Sequence, residues 1–137
     1  MGRVSSRDTS LELLIRRSLF ASGFRFRLND KRYPGSPDIV LPKYKAVIFV
    51  HGCFWHQHEG CSKSKRPETR REFWNSKLDA NIERDKRNIE KLNSLGWRVA
   101  IVWECAIKKK SSFEEMISSL EDWIRSGHSE LEIPNKT

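Results

Sequence analysis

The segment His51–Cys61 concentrates the side chains that can do chemistry. Within eleven residues it holds two of the three cysteines of the chain, three of its four histidines and two adjacent aromatic residues. The preceding run Ala46–Val50 is apolar and β-branched, which is typical of a buried strand. Residues that follow such a strand lie at the edge of a sheet, so this segment is expected to form a functional site.

Metal binding is the first chemistry that the segment suggests. Cys53, His58 and Cys61 have the spacing C-x4-H-x2-C, and Cys105 is the one cysteine left to complete a set of four ligands. Structural zinc takes four tetrahedral sulfur and nitrogen ligands. The spacing therefore predicts a Cys3His zinc site, with His51 or His56 as competing nitrogen ligands. In the alternative interpretation Cys53 and Cys105 are small buried apolar residues.

A second chemistry involves Asp38 and the histidines that zinc does not use. Asp38 begins a strand whose predicted hairpin partner ends at His51, so these two residues should lie near each other. A carboxylate could hold Mg2+, which would activate water and hold a phosphate, and His51 or His56 could move a proton near neutral pH. Taken alone, Asp38 after a proline is more typical of a turn, and a single histidine is more often structural.

Phe54 and Trp55 stand between a predicted zinc ligand and a predicted catalytic histidine. Such a pair most often packs in a core. In an enzyme that acts on nucleic acid, aromatic residues beside the active site can instead enter the base stack and kink the duplex. Mismatches are easy to unstack, so a wedge of this kind would favour them.

The charge balance is compatible with a nucleic acid partner. The 137 residues include 26 Lys and Arg against 18 Asp and Glu, which gives a net charge of +8 and a pI near 9.7. This balance suits a polyanion, although many small basic proteins bind nothing specific. A mean hydropathy of -0.66, without a long apolar run or a secretion signal, predicts a single cytoplasmic domain and no membrane span.

Hydrophobic periodicity predicts the elements that must position these groups. Thr9–Glu12 fits a capping box that begins a helix, and Gly23 ends it. Phe24–Leu28 alternates apolar and basic residues, as a half-buried strand does. Asp38–Leu41 and Ala46–Val50 are joined by a tight turn, which indicates an antiparallel hairpin.

A long helix and a further strand follow the segment. The helix is predicted over about Arg71–Leu95, and its apolar stripe consists of Trp74, Leu78, Ile82, Ile89, Leu92 and Leu95. Trp97–Trp103 is typical of a buried strand, and apolar residues between Phe113 and Ile124 indicate a last helix. The helical crossover makes the neighbouring strands parallel. The expected fold is α/β: a central mixed β-sheet flanked by α-helices, in one domain over residues 1–137 with an N-terminal arm of about residues 1–8 and a flexible tail over about residues 128–137.

Six blocks of this sequence together resemble one known family. They are Asp8–Glu12, Gly35–Val40, Phe49–His56, Thr69–Trp74, Asn81–Asp85 and Gly96–Cys105. The resemblance is to the very-short-patch (Vsr) DNA mismatch repair endonucleases, and it spans about Arg7 to Trp123. The combination of the HGCFWH block with the distant WEC block is its most specific part.

The resemblance implies a restriction-endonuclease-like fold and a magnesium-dependent hydrolase that nicks one DNA strand. The nick would fall 5′ to the T of a T:G mismatch, which arises when 5-methylcytosine deaminates, and would start very-short-patch repair. The implied partners are mismatched double-stranded DNA and other mismatch repair proteins. The implied setting is the bacterial cytoplasm, in association with the nucleoid, and a single-strand nick fits a monomer.

Carried over position by position, the resemblance also implies residue roles. Magnesium falls on Asp38 and on the carbonyl of Val50, a position where the family often has threonine. The catalytic set comprises Asp38, His51, His56, Asp85, which would orient His56, and Glu12, near the site. Structural zinc falls on Cys53, His58, Cys61 and Cys105, and the intercalating wedge on Phe54 and Trp55. His51 stands where restriction-like nucleases commonly have the lysine of an acidic-x-Lys element, so histidine replaces it.

Two features depart from the family pattern. The zinc loop His58–Cys61 has one residue more than is usual, and the stretch before Arg7 is shorter than the basic arm of many members, which predicts weaker DNA binding. Two alternatives stay open. One is a zinc-stabilised DNA-binding module that has lost turnover, and the other is a nuclease with the same site chemistry and another DNA target.

Overall fold

The computed structural model describes residues 9–58, 61, 64–106 and 110–133. The predicted N-terminal arm, about residues 1–8, lies outside these ranges. The helices and strands are α1 (Thr9–Ala21), β1 (Arg27–Leu28), β2 (Ile39–Leu41), β3 (Ala46–His51), α2 (Arg71–Ser94), β4 (Arg98–Trp103), α3 (Lys110–Ser126) and β5 (Glu130–Ile133). Within the described ranges, no helix is both long enough and apolar enough for a membrane span.

The strands form one mixed sheet in the order β1-β2-β3-β4-β5. β2 and β3 pair antiparallel across a 3-10 turn at Pro42–Tyr44, after which Lys45 takes a left-handed conformation with a φ of 50°. β3 and β4 pair parallel, with α2 as the crossover between them. The predicted hairpin and the predicted mixed sheet with flanking helices are therefore confirmed.

Helices cover both faces of this sheet. α1 and α3 bury one face, where Ile15, Ile48 and Leu120 are completely buried. α2 lies on the other face, where Leu92 packs against Val47. Every residue of β3 is buried, so this central strand is fixed from both sides and holds the loop after it in place.

The structure corrects three expectations about element bounds. The first strand is limited to Arg27–Leu28, and the predicted alternation fails at Leu28, which is 40% exposed. The predicted apolar stripe of the long helix includes Leu95, yet α2 ends one residue earlier and Leu95 is 58% exposed. The flexible tail is wrong for Glu130–Ile133, which form β5 and pair parallel with β4.

Candidate active site and metal centre

The candidate active site is a cavity at the end of β3. The hairpin pairs Ile39 with Ile48, which brings the residue before β2 beside the end of β3. The cavity measures about 150 Å3 and is lined by Gly35, Ser36, Asp38, Phe49, Val50, His51, His56, Asp85, Asn88 and Ile89. Gly35, with a φ of 81°, is needed here because a Cβ would lie 3.2 Å from Asn88. The cavity thus unites loop, sheet and α2.

Asp38 contributes a buried carboxylate to this cavity. It is 5% exposed, and its Oδ2 accepts a hydrogen bond of 2.7 Å from the backbone amide of Val50. This bond fixes the carboxylate against the end of β3, as the hairpin register predicted. Carboxylate and backbone carbonyl oxygens are the donors that Mg2+ prefers, so Asp38 and Val50, which both line the cavity, fit this metal.

His51 and His56 form a parallel stack in the same cavity. Their ring centroids are 3.8 Å apart and their planes differ by 6°. Asp85, on α2, meets the edge of the His56 ring, with its Oδ2 at 2.6 Å from Nδ1 of His56. A carboxylate at this nitrogen holds the proton on Nδ1 and leaves Nε2 as the basic atom.

His51 is the more enclosed member of the stack. It is 5% exposed, and its Nδ1 has no hydrogen-bond partner among the described residues. Burial holds the pKa of His51 well below its ordinary value of 6.5, and the neighbouring His56 lowers it further. His51 is therefore neutral at physiological pH.

The geometry of the stack favours proton transfer over metal binding. Donor atoms of His51, His56 and Asp85 lie within 4.8 Å of one another, a spacing that a metal could use. A metal ligated by two imidazoles must lie about 2.0 Å from each nitrogen and in the plane of each ring. Parallel rings 3.8 Å apart cannot meet both conditions, because their lone pairs do not converge. The arrangement leaves His56, held at Nδ1 by Asp85, as a candidate general acid or base.

Glu12 occupies a different environment from the other predicted catalytic residues. It lies in the first turn of α1, is 1% exposed, and forms an ion pair of 2.6 Å with Arg16 one turn later. Among the described residues, those that line the cavity do not include Glu12. The buried carboxylate is thus compensated within its own helix.

The four predicted zinc ligands converge beside the histidine stack. The donor atoms of Cys53, His58, Cys61 and Cys105 all lie within 4.8 Å of one another. Cys105 reaches the others because it follows β4, and parallel strands β3 and β4 end at the same edge of the sheet. His58 offers Nδ1, which lies 3.6 Å from Sγ of Cys53 and 3.4 Å from Sγ of Cys105.

These separations fit a tetrahedral zinc site. Ligand bonds of about 2.3 Å to sulfur and 2.05 Å to nitrogen place the two donors about 3.6 Å apart. Burial raises the pKa of the Cys53 thiol to about 12, so a bound dication is what would hold it as thiolate. The departure in the zinc loop falls at residues 59–60, which lie outside the described residues.

Phe54 and Trp55 belong to an aromatic cluster that includes a helix residue. Both are half-buried, and their ring centroids lie 5.7 Å and 6.1 Å from that of Trp74 on α2. The sequence placed Trp74 only on the apolar stripe of the helix. Its position in the block Thr69–Trp74 is the sequence signal that could have indicated its contact with this cluster.

Trp103 connects the zinc ligands to the histidine stack. Its indole lies parallel to His58 at 4.2 Å and meets His51 edge-on at 5.1 Å. The indole Nε1 donates a hydrogen bond of 2.7 Å to Oε2 of Glu132 on β5. The strand that sequence patterns missed therefore fixes a side chain shared by both sites.

Known proteins resemble this chain over most of its length. The family model described as DNA mismatch endonuclease Vsr matches residues 1–63. The DNA mismatch endonuclease Vsr of Escherichia coli (strain K12) is 47% identical over 126 residues, which are 90% of this chain and 80% of that protein. The type II nicking enzyme V.NmeAIP of Neisseria meningitidis is 47% identical over 120 residues, covering 88% of this chain and 85% of the relative. The type II nicking enzyme V.XorIIP of Xanthomonas oryzae pv. oryzae is 43% identical over 122 residues, 89% of each chain.

Proposed function

This chain belongs to the Vsr family of DNA mismatch endonucleases, and we propose that it nicks the T strand of duplex DNA 5′ to the T of a T:G mismatch. Members of the family are endonucleases, and the relatives of this chain include proteins named as nicking enzymes. The observation that carries the finer proposal is that Asp38, His51, His56 and Asp85 line one cavity together. A net charge of +8 suits the DNA partner.

In this proposal Asp38 and the carbonyl of Val50 would hold Mg2+. When bound, this ion would supply the positive charge that polarises the scissile phosphate and stabilises the leaving 3′ oxygen. His56 removes a proton from the attacking water through Nε2, because Asp85 keeps the other proton on Nδ1. The water oxygen forms the new bond to phosphorus, and the bond from phosphorus to the 3′ oxygen breaks.

His51 has a supporting part in the same scheme. As a buried neutral ring stacked on His56, it fixes the plane of the general base and excludes water from one side of it. The charge that His56 gains when it takes the proton lies between this ring and the carboxylate of Asp85. Glu12, which does not line the cavity in the described part of the chain, has no step of its own in the scheme.

Zinc has a structural role in the proposal, with Cys53, His58, Cys61 and Cys105 as its ligands. The support is that the four donor atoms lie within 4.8 Å of one another and that the distances from Nδ1 of His58 to two of the sulfurs fit tetrahedral zinc. A closed site of this kind would tie the loop after β3 to the turn after β4. The metal would thereby hold His56 at a constant distance from the sheet.

Phe54 and Trp55 are proposed as the wedge that opens the mismatch. They lie in the same loop as His56, so insertion of their rings would bring the distorted backbone to the cavity. Phe54→Ala should therefore lower the preference for T:G over T:A duplexes. Phe20→Ala is a matched control, since Phe20 is an aromatic residue on α1 that is 57% exposed. An equal loss of preference in both variants would contradict the wedge.

The decisive test of the function is strand-specific nicking. End-labelled T:G and T:A duplexes are incubated with the protein and Mg2+, and the products are resolved by strand. We expect a single nick on the T strand of the T:G duplex, lost in Asp38→Asn. Equal nicking of the T:A duplex would contradict the proposal.

Two other outcomes of this test correspond to the alternatives. Mismatch-dependent binding without cleavage would indicate a zinc-stabilised binding module, and Asp38→Asn would leave that binding intact. Cleavage of other mismatches or branched duplexes in preference to T:G would indicate a nuclease with another DNA target.

The proposal further includes one domain over residues 1–137 acting as a monomer on bacterial nucleoid DNA, with other mismatch repair proteins as partners. Light scattering with and without DNA tests the monomer.

A further inference from the structure

Arg66 connects the loop after β3 that carries Phe54 and Trp55 to helix α2 through three hydrogen bonds. Its Nε donates to Oε1 of Gln57 at 2.7 Å. Its two terminal nitrogens donate to Oδ1 of Asn75 at 3.0 Å and to Oδ1 of Asp79 at 2.8 Å. Asn75 and Asp79 lie one turn apart on the same face of α2, so the planar guanidinium spans both and still reaches the loop.

Gln57 in turn forms a hydrogen bond to the backbone of Phe54, one of the two wedge residues. Its Nε2 donates to the carbonyl oxygen of Phe54 at 2.7 Å and to that of Ser64 at 3.1 Å. Gln57 also has a φ of 51°, a left-handed conformation that costs free energy in a residue other than glycine. Its side-chain bonds therefore hold a turn that its backbone alone would not favour.

The helix end of the connection is next to the third ring of the aromatic cluster. Asn75 directly follows Trp74, whose ring contacts those of Phe54 and Trp55. A second bond, from Nδ2 of Asn81 to the carbonyl of Trp55 at 3.0 Å, joins the loop to the next turns of α2. Side-chain hydrogen bonds at Asn75, Asp79 and Asn81, which all follow Trp74 along α2, thus set the position of the loop on the helix.

The hydrogen bonds and the local charge of Arg66 differ from those expected of a residue that contacts a DNA phosphate. Three of its donors are already used, and the carboxylate of Asp79 balances its charge. Arg66 is 29% exposed whereas Asp79 is 63% exposed. An isolated ion pair of this exposure contributes little to stability, so we expect Arg66 to act through the geometry of its hydrogen bonds.

We propose that Arg66 is a positioning residue for mismatch opening. It fixes the Phe54–Trp55 loop against α2 in the free protein. The wedge is therefore already ordered before it enters the base stack. Ordering a loop on binding lowers the free energy left for the reaction, and a preformed loop avoids this cost. The inference rests on the proposed function of Phe54 and Trp55.

The test compares Arg66→Met with Arg125→Met, which loses the same charge. Arg125 lies on α3, on the opposite face of the sheet from α2, over the ring of Phe24 at 4.8 Å. Single-turnover nicking of a T:G duplex gives a maximal rate and a half-saturating protein concentration. A 2-aminopurine beside the mismatch reports unstacking by its fluorescence.

We expect Arg66→Met to lower the maximal rate and the 2-aminopurine signal by about tenfold, which corresponds to about 1.4 kcal/mol, the order of one net hydrogen bond. The half-saturating concentration should change no more than in Arg125→Met. Arg66→Lys keeps the charge but not the planar fork, so it should resemble Arg66→Met. Rates for Arg66→Met equal to those for Arg125→Met would overturn the inference.

Asp79→Ala, which removes the acceptor oxygen as well as the charge, separates positioning from phosphate contact. If Arg66 positions the loop, this change weakens the connection and lowers the maximal rate as Arg66→Met does. If Arg66 contacts a phosphate, the change frees a cation and tightens DNA binding, which would overturn the inference. Zinc content and melting temperature identify variants that are merely unfolded.

A measurement without DNA keeps this inference distinct from the proposed function. The near-ultraviolet circular dichroism of the free protein reports the packing of Phe54, Trp55 and Trp74. Arg66→Met should change this spectrum and Arg125→Met should not. An unchanged spectrum overturns the positioning role whether or not the wild type nicks DNA. A wild type that nicks no mismatch contradicts only the proposed function.

Discussion

Replacing Asp85 by asparagine should lower the nicking rate about a thousandfold and leave DNA binding intact. The carboxylate lies 2.6 Å from Nδ1 of His56, and the change removes its charge while keeping its shape and an oxygen that can accept the same hydrogen bond. Asp85→Asn therefore tests charge separately from orientation. The general base gains a positive charge in the transition state, so the lost charge matters most there.

The magnitude follows from the exposure of the pair. His56 and Asp85 are 23% and 21% exposed, so an effective dielectric constant of about 20 applies, rather than the value for bulk water or for a dry interior. Opposite unit charges whose centres are about 4 Å apart then attract by about 4 kcal/mol. At about 1.36 kcal/mol for each factor of ten, this is about three orders of magnitude in rate.

The assay is single-turnover nicking of a labelled T:G duplex at saturating protein, repeated over a range of Mg2+ concentrations. Glu90→Gln is the matched control, because Glu90 is an exposed acid on the same helix and its loss changes the net charge equally. We expect Asp85→Asn to lower the maximal rate without raising the half-saturating Mg2+ concentration, while Glu90→Gln stays near the wild type.

Two results would refute this reasoning. A fall of less than about tenfold would mean that the charge of Asp85 is not coupled to the general base, since even one net charge-assisted hydrogen bond exceeds that factor. Recovery of the rate at high Mg2+ would mean that Asp85 is a metal ligand instead. Either outcome would separate the observed His56–Asp85 contact from the proposed chemistry.

Three further predictions follow from the same structure. Cys105→Ser should abolish stoichiometric zinc in atomic absorption and lower the melting temperature by roughly 10 °C, as expected for a loss of about 3 kcal/mol; unchanged zinc content would contradict the ligand set. Since burial holds the pKa of His51 below 6.5, the unfolded chain binds a proton that the folded chain does not, and stability should fall as the pH drops below about 6.5, by up to about 1.4 kcal/mol per pH unit. Urea unfolding should show a flatter pH dependence in His51→Asn, and parallel curves would count against a neutral buried imidazole. Leu92→Ala should cost about 2–5 kcal/mol in denaturant unfolding, because Leu92 is completely buried, whereas Leu95→Ala, at a position 58% exposed, should stay within about 0.5 kcal/mol; similar values would contradict the observed end of the helix stripe.

Local patterns predicted most of the elements, because each depends on neighbours within a few residues. The hairpin of β2 and β3 follows from two β-branched runs around Pro42–Tyr44, and the parallel pairing of β3 and β4 follows from the intervening helix. The hairpin register was enough to place Asp38 beside the end of β3. This part of the candidate site was therefore predictable.

The misses lie where a local pattern is short or ambiguous. Glu130–Ile133 alternate over only four residues, which is too few to distinguish a strand from a tail, and pairing with β4 decides the matter. Leu95 continues the apolar spacing of α2, but the helix ends before it, so spacing alone could not tell that it is exposed. Trp74 fits the apolar stripe as well as the aromatic cluster, and only the position of the loop distinguishes these roles.

The sequence by itself determined the types of groups available and their local spacing. Three of the four proposed zinc ligands, His56 and the wedge lie in one loop after β3, and His51 ends that strand, so chain connectivity alone keeps these groups together. The tertiary structure decided how these groups meet distant ones. Asp85 reaches His56 across 29 positions of sequence, and Arg66 reaches Asp79 only because α2 lies against the loop. Such contacts depend on the angle and depth at which a helix packs on a sheet. That packing is the sum of many weak apolar contacts across the whole core, and no short window of sequence contains it.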